Sequence, residues 1–312
     1  MSADAVVLSG GGSKGIAQLG ALHYCFEKRY YDPSKVTAYA GTSIGAIISL
    51  LLICGYTPIE IFTEIYKKPT FFKIGDVKSI WELLKDFGLM SIKPLLEEIK
   101  RLIIAKFGKV PTLAELHAKT GKNLVIAVSN VTKTHVEYFS HSTRPHLSCL
   151  DAVEMSANLP IVFQRIHYND CYYVDGGLLD NFPIKQIDTG TNKILGIITV
   201  GVDNSSDDGS LFPYLYRLVI MPINMITELR KRDGKENSVI VSMEFDNIPL
   251  LDFSMPTDKK MQMFTQGYRE AEKSDEAMAR LFRISPLSVP DFVDETNAWN
   301  LEFEVCDHPK TD

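Results

Sequence analysis

The chain has 312 residues, 45% of them hydrophobic, and a formal net charge of −6. This is enough apolar sequence for one large α/β domain or two small ones, and the negative balance excludes a protein drawn as a whole to nucleic acid or anionic lipid. Five cysteines (Cys25, Cys54, Cys149, Cys171, Cys306) form no C-x-x-C pair, and the first strand pattern begins at Ala5, leaving no room for a cleavable leader; both predict a reducing, cytoplasmic setting.

Ala5 to Leu8 reads as a buried strand and runs directly into Ser9-Gly10-Gly11-Gly12-Ser13-Lys14-Gly15. Ile16, Leu19, His23 and Phe26 then recur at helical spacing, with Lys28 and Arg29 suited to the helix C-terminus. The glycines leave a run of backbone N–H groups free to face an anion or an oxyanion. Gly10, Gly12 and Gly15 also satisfy G-x-G-x-x-G, but a dinucleotide site expects an acid near the end of the second strand. That strand, Val36 to Ala40, runs into Gly41-Thr42-Ser43, and Asp32 lies at its wrong end. A P-loop would need Gly-Lys-Ser/Thr, whereas Lys14 precedes Gly15 and Ile16 follows it. Nucleotide binding and a plain tight turn stay open as alternatives, and Lys14 could meet a lipid phosphate or point to solvent.

Gly41-Thr42-Ser43-Ile44-Gly45 lies between that strand and a helix-compatible run, Ala46 to Cys54. Gly-x-Ser-x-Gly between strand and helix is the nucleophile elbow. The turn is so tight that a Cβ two residues either side of the serine would strike its neighbours, and the serine is left at a helix N-terminus, which favours developing negative charge. Ala46 to Cys54 is too short to span a bilayer.

Further along, Pro69 to Ile104 sets Phe71, Phe72, Trp81, Phe87, Leu89 and Met90 among lysines. It suggests either a cap packed on the core or a lid in contact with membrane. Leu124 to Val131 and His135 to Phe139 read as strands. His141, His146 and Cys149 match no usual zinc spacing, so no metal is expected. Cys171 to Val174 is strand-like and leads into Asp175-Gly176-Gly177, which by itself would be a simple turn. Ile194 to Val202 reads as a strand. Asp203 to Gly209 is a polar excursion that fits no EF-hand register. Leu211 to Ile226 is a second cap or membrane-contact candidate. One domain is expected to residue 285, followed by a C-terminal tail, residues 286–312, with Pro286, Pro290 and Pro309.

A serine nucleophile needs a base within hydrogen-bond reach. Of the seven histidines only His308 follows Asp175, in an acidic tail of little apolar content. The usual α/β-hydrolase order (serine, acid, histidine) also places the serine after several strands, and here only two strand patterns precede it. A two-member site with Asp175 as the base fits better.

The ordered blocks Gly10 to Gly15, Gly41 to Gly45 and Asp175 to Gly177 resemble the patatin-like phospholipases. The similarity extends through Ser156-Ala157-Asn158-Leu159-Pro160, the continuation Leu178 to Pro183, the strand pair ending at Phe139, and Thr265-Gln266-Gly267-Tyr268. The resemblance implies a three-layer α/β/α sandwich with a mainly parallel central sheet and a serine–aspartate dyad. Ser43 would be the nucleophile and Asp175 the base. The oxyanion hole would be drawn from Gly10, Gly11, Gly12, Ser13 and Ile44, with Gly15, Gly41, Gly45, Gly176 and Gly177 completing the motifs. It implies cofactor-free hydrolysis of a lipid carboxylic ester through an acyl-enzyme, on glycerophospholipids. Neutral glycerides or acyl transfer are the alternatives with the same dyad, and a lipid- or nucleotide-binding protein without turnover is the alternative from another class. Implied partners are a membrane phospholipid or other lipid ester, peripheral membrane contact and a protein activator, with no nucleic acid.

Overall fold

The computed structural model describes residues 2–67, 88–201, 211–245 and 255–282. Five strands, β1 (Ala5–Leu8), β2 (Ala38–Thr42), β4 (Asn123–Asn130), β9 (Ile194–Val200) and β10 (Ser238–Glu244), lie in the order β10-β9-β1-β2-β4, every neighbouring pair parallel. β1 and β9 are buried at every position and read Ala-Val-Val-Leu and Ile-Leu-Gly-Ile-Ile-Thr-Val, as parallel strands covered on both faces do. β5 (His135–Phe139), β7 (Ile166–Tyr168) and β8 (Cys171–Asp175) extend this sheet with antiparallel pairings. The sheet is therefore mixed: a parallel centre with an antiparallel margin. β3 (Gly88–Met90) pairs apart from it with β6 (Ile161–Phe163).

Alternate residues of β1 enter different cores. Val6 and Leu8 join the large apolar cluster beneath α1 (Gly15–Glu27) and α2 (Ile44–Ile53), while Ala5 and Val7 pack with Ala40, Val125, Ile194, Ile198 and Phe182 on the other face. This gives the expected three layers. The large core also takes in α3 (Pro58–Tyr66), α4 (Lys93–Phe107), α6 (Cys149–Ser156), α8 (Thr257–Lys273) and α9 (Asp275–Phe282). The short α5 (Leu113–Thr120) is fixed by a capping box between Thr112 and Glu115. α1 is buried along nearly its whole length because α8 crosses it closely. A Cβ at Gly20 would strike the Phe264 carbonyl, and one at Gly267 the Ala17 carbonyl. α7 (Leu211–Lys231) has Pro222 inside it.

The edge of β4 decides where the site forms. β2 occupies one edge of β4 along Asn123 to Ala127, with Thr42 opposite Ala127. β5 lies on the other edge from Ile126 to Asn130. β8, which pairs with Val128 to Asn130, must therefore take the β2 side, and Asp175 falls opposite Val128. β2 and β8 both end at adjacent β4 residues, having approached from opposite directions. The elbow after Thr42 and the carboxylate of Asp175 converge on that seam.

A strand and the helix after it differ in extent from the sequence pattern. β2 continues to Thr42, two residues beyond the apolar run, because Gly41 and Thr42 keep parallel register with Ile126 and Ala127. α2 begins at Ile44, directly after the serine.

Candidate active site

Ser43 sits at the strand–helix turn with φ 53° and ψ −123°, a left-handed conformation that a non-glycine residue adopts at a cost of about 1–3 kcal/mol. Two contacts hold it there. Its N–H donates to Ser156 Oγ at 2.9 Å, and the Ser156 hydroxyl donates to the Ala127 carbonyl at 2.7 Å. Gly45 lies against the Leu8 and Ser9 carbonyls, so a side chain at Gly45 would push α2 off β1.

Asp175 is 5% exposed. Its Oδ1 accepts from the Gly177 N–H at 2.8 Å, and its own N–H donates to the Asn158 carbonyl at 2.9 Å. Burial pushes its pKa up to about 6, opposed by hydrogen bonds from the Ser43 hydroxyl and the Gly177 N–H. The carboxyl is thus a stronger base than a free aspartate, and it lines the same small cavity as Ser43. Gly176 lies on the Ala127 carbonyl, where any Cβ would separate β8 from β4.

The glycine loop follows β1 and rises over the same seam. Ser9 is locked by Gln18, whose Nε2 donates to the Ser9 carbonyl at 2.8 Å, and by the Thr199 N–H, which donates to Ser9 Oγ at 3.0 Å. The Gly10 N–H donates to the Asn181 carbonyl at 3.2 Å. That bond removes Gly10 from the expected set of oxyanion donors and makes it a spacer, since a Cβ there would strike Asn181 Oδ1 and crowd Ser43. The N–H groups of Gly11 and Gly12 have no backbone acceptor among the described residues. Ile44 is the first residue of α2, where intrahelical geometry offers the N–H no partner. Lys14 does not reach into solvent: it is 4% exposed, and its Nζ donates to the Gly201 carbonyl at 3.3 Å.

Two cavities meet at Ser43. One, of about 130 Å³, is apolar. Ile44, Ile47, Ile48 and Leu51, one face of α2, form a wall, and Ile61, Ile99, Leu102 and Phe163 face them. Glu64, Glu98 and Lys260 also reach its lining. The other, of about 40 Å³, is lined by Gly10 to Gly12, Lys14, Asp175, Asn181, Thr199 and Asn224. No histidine lines either cavity among the described residues.

The sequence model described as patatin-like phospholipase matches residues 6–188, more than half of the chain and all three glycine-bearing motifs. The chain belongs to the patatin-like phospholipase family. Among similar proteins, a probable lipid hydrolase of Invertebrate iridescent virus 6 is 34% identical over 181 residues, covering 57% of this chain and 61% of that protein. The chain thus spans under two thirds of that relative. An uncharacterized protein of Acanthamoeba polyphaga mimivirus is 28% identical over 281 residues, 86% of this chain and 92% of that protein. Among solved structures, VipD from Legionella pneumophila superposes with a TM-score of 0.54 at 16% identity, covering 89% of this chain and 67% of that one. Human GIVD cytosolic phospholipase A2, solved with methyl gamma-linolenyl fluorophosphonate, gives 0.51 at 10% identity, covering 90% and 59%. These likenesses show the α/β/α fold.

The structure gives contacts to three residues of the resembling blocks Ser156 to Pro160 and Leu178 to Pro183 for which the sequence offered no role. Ser156 fixes the elbow from α6, Asn158 fixes β8, and Asn181 joins the glycine loop to α7 through a 2.7 Å bond from its Nδ2 to Thr227 Oγ1. The signal for Ser156 was a polar residue closing an otherwise apolar helix face. His141 stacks on His117 at 3.8 Å, and among the described residues no group of three or more His, Cys, Asp or Glu could hold a metal. Cys25, Cys54, Cys149 and Cys171 are buried thiols. No described helix is long and apolar enough to cross a membrane. Of the first cap candidate, Lys93–Phe107 is α4, which buries Leu96, Ile99 and Leu102 in the core; Phe71, Phe72, Trp81 and Phe87 lie outside the described residues, as do Asp203 to Gly209, His308 and the tail 286–312.

Proposed function

We propose that this protein is a lipid acyl hydrolase of the phospholipase A type, with Ser43 as nucleophile and Asp175 as base. The observation that carries this reading is the junction itself: a strained serine and a buried carboxylate lining one small cavity, at the mouth of an apolar one. The acyl chain would lie along Ile44, Ile47, Ile48 and Leu51, which bring its ester carbonyl to Ser43. Asp175 accepts the Ser43 proton as Oγ bonds to the carbonyl carbon. The oxyanion is met by the N–H groups of Gly11 and Gly12, with those of Ser13 and Ile44 beside them; each such donor is worth about 2.7–4 kcal/mol. The C–O bond to the alcohol breaks, and the leaving oxygen takes the proton from Asp175. Water, deprotonated by the same carboxylate, then attacks the acyl-Ser43 ester, and the proton returns to Ser43 as the fatty acid leaves.

A glycerophospholipid is favoured over a neutral glyceride by the second cavity. Lys14, Asn181, Thr199 and Asn224 give it a polar wall with a cation, suited to a phosphate-bearing remainder. The test combines labelling with product analysis. A long-chain alkyl fluorophosphonate should label the chain at Ser43 and should not label Ser43→Ala. Fatty acid release from phosphatidylcholine should exceed that from triacylglycerol. An unlabelled, folded chain, with cell lysate added to supply any protein activator, sinks the catalytic reading. Release from triacylglycerol alone sinks only the phospholipid assignment, and binding of radiolabelled nucleotide without ester hydrolysis would support the binding-protein alternative.

A further inference from the structure

α7 presents two faces of different character. Its inner face is built into the site: Ile220, Ile223 and Thr227 are buried, Ile223 and Asn224 line the polar cavity, and Thr227 holds Asn181. Its outer face carries Leu211, Tyr214, Leu218, Met221, Met225 and Leu229, all exposed. Successive members are three or four residues apart, so they form one stripe along about five turns. They are half of the twelve exposed large hydrophobic side chains among the described residues, while the others are scattered over several elements. Met221 and Met225, at the centre, are 66% and 64% exposed. A single exposed apolar residue needs no explanation, but a continuous stripe marks an interaction surface.

We propose that the outer face of α7 docks this protein on a lipid bilayer, with the helix lying in the interfacial plane and the catalytic cleft opening from its opposite face. The inference rests on the reading of the site as acting on membrane lipid. Three observations favour a bilayer over a second protein surface. Leaving aside Arg230, α7 carries Arg217 and Lys231 against the single acid Glu228, a positive balance where the whole molecule carries −6. Arg230 is turned inward to Asp180 at 3.1 Å and to Asp233. Apolar stripe and basic flank together are the make-up of interfacial helices. Pro222 sits in the middle of the stripe, where it removes a helix hydrogen bond and bends the axis. A bent helix pairs poorly along its length with a second straight one, whereas a bilayer surface deforms to meet it. Finally, the stripe is joined to the site through one helix diameter, so a lipid leaving the bilayer beside α7 arrives at the cavity that Ile223 and Asn224 line.

The test uses the full chain carrying Ser43→Ala, so that no lipid is consumed, sedimented with phosphatidylcholine vesicles with and without phosphatidylglycerol. We expect partition onto vesicles to increase with phosphatidylglycerol and to fall at least about tenfold when Met221→Glu and Met225→Glu are added. With Ser43 intact, the double variant should hydrolyse a soluble short-chain ester within about twofold of the parent rate while losing hydrolysis of vesicle lipid. A Leu218→Trp variant should shift its emission to the blue on vesicle addition, and this readout does not depend on the glutamate variants folding. Unchanged partition of the double variant together with no emission shift overturns the proposal. So does a dimer in sedimentation equilibrium that the double variant converts to monomer, with no vesicle binding by either. If no ester is hydrolysed yet vesicle binding follows the stripe, the catalytic reading fails and the docking surface stands.

Discussion

The two cavities that meet at Ser43 are built in opposite ways. The apolar one takes a main wall from a single helix, at positions 44, 47, 48 and 51, so its character follows from local periodicity. The smaller one is mixed: Lys14, Asp175, Asn181, Thr199 and Asn224, drawn from four separate parts of the chain, stand among Leu159, Phe163 and Ile223. The first needs only that α2 keep its helical face. The second exists only while the β2–β4–β8 seam, the glycine loop and α7 hold their relative positions. A lipid ester has the matching asymmetry, an apolar chain on one side of the carbonyl and a polar remainder on the other, and Ser43 stands at the division.

The largest effect should come from the point the cavities share. Ser43→Ala is expected to lower kcat/KM by at least about 10⁴-fold, measured on short-chain and long-chain esters alike. Ser43→Gly should be equally inactive yet more resistant to thermal unfolding, since glycine adopts φ 53° without strain.

Asp175→Asn should lower activity about 10³-fold or more, again without regard to chain length. Because the folded pKa of Asp175 is raised from 3.8 to about 6, activity should fall as pH drops below about 6. The linkage runs the other way for stability. Between those pH values the folded state holds a proton that the unfolded state has lost, so the carboxylate contributes least destabilisation below pH 3.8 and most above pH 6. The asparagine variant should therefore be more stable than the parent at pH 7, by about 3 kcal/mol, and the gain should disappear by about pH 4. A variant that melts lower at pH 7 would contradict the buried-carboxylate account.

Leu51→Trp fills the apolar cavity two turns from Ser43. Its effect should depend on chain length, with kcat/KM for long acyl chains down about 10–100-fold and that for an acetyl or butyryl ester little changed. Equal losses on both would mean that the chain does not run along α2.

Smaller again, Ser156→Ala leaves the Ser43 N–H and the Ala127 carbonyl without the bridging hydroxyl, at a cost of about 1–3 kcal/mol in denaturant unfolding and a loosened elbow. Asn224→Leu should act on the polar side alone, lowering turnover of phosphatidylcholine a few-fold while sparing uncharged short-chain esters. If instead it affected acyl-chain preference, the division of labour between the cavities would be wrong.

The site was legible in the sequence wherever the chemistry imposes a local rule. A nucleophile elbow needs its glycines because the chain folds back on itself, Gly41 abutting Gly45 four residues on, a constraint written within a few residues. The strands of the parallel centre were legible because burial on both faces demands uninterrupted apolar runs. Gly10 shares its neighbours' composition, and nothing local reveals that the Asn181 carbonyl, far along the chain, takes its N–H. Lys14 could not be placed for the same reason. The antiparallel margin escaped notice because a strand's direction depends on which partner it finds.

By itself the sequence determined the strand–loop–helix order, the sharp turn at Ser43, the apolar face of α2 and the three motifs, since each follows from steric or periodic rules acting over a few residues. Only the tertiary structure decided that β8 takes up the edge of β4 where β2 leaves it. That pairing brings a serine and a carboxylate 132 positions apart in the chain to one cavity and buries the carboxylate enough to raise its pKa. Register and desolvation are properties of neighbours in space, and no spacing along the chain encodes them.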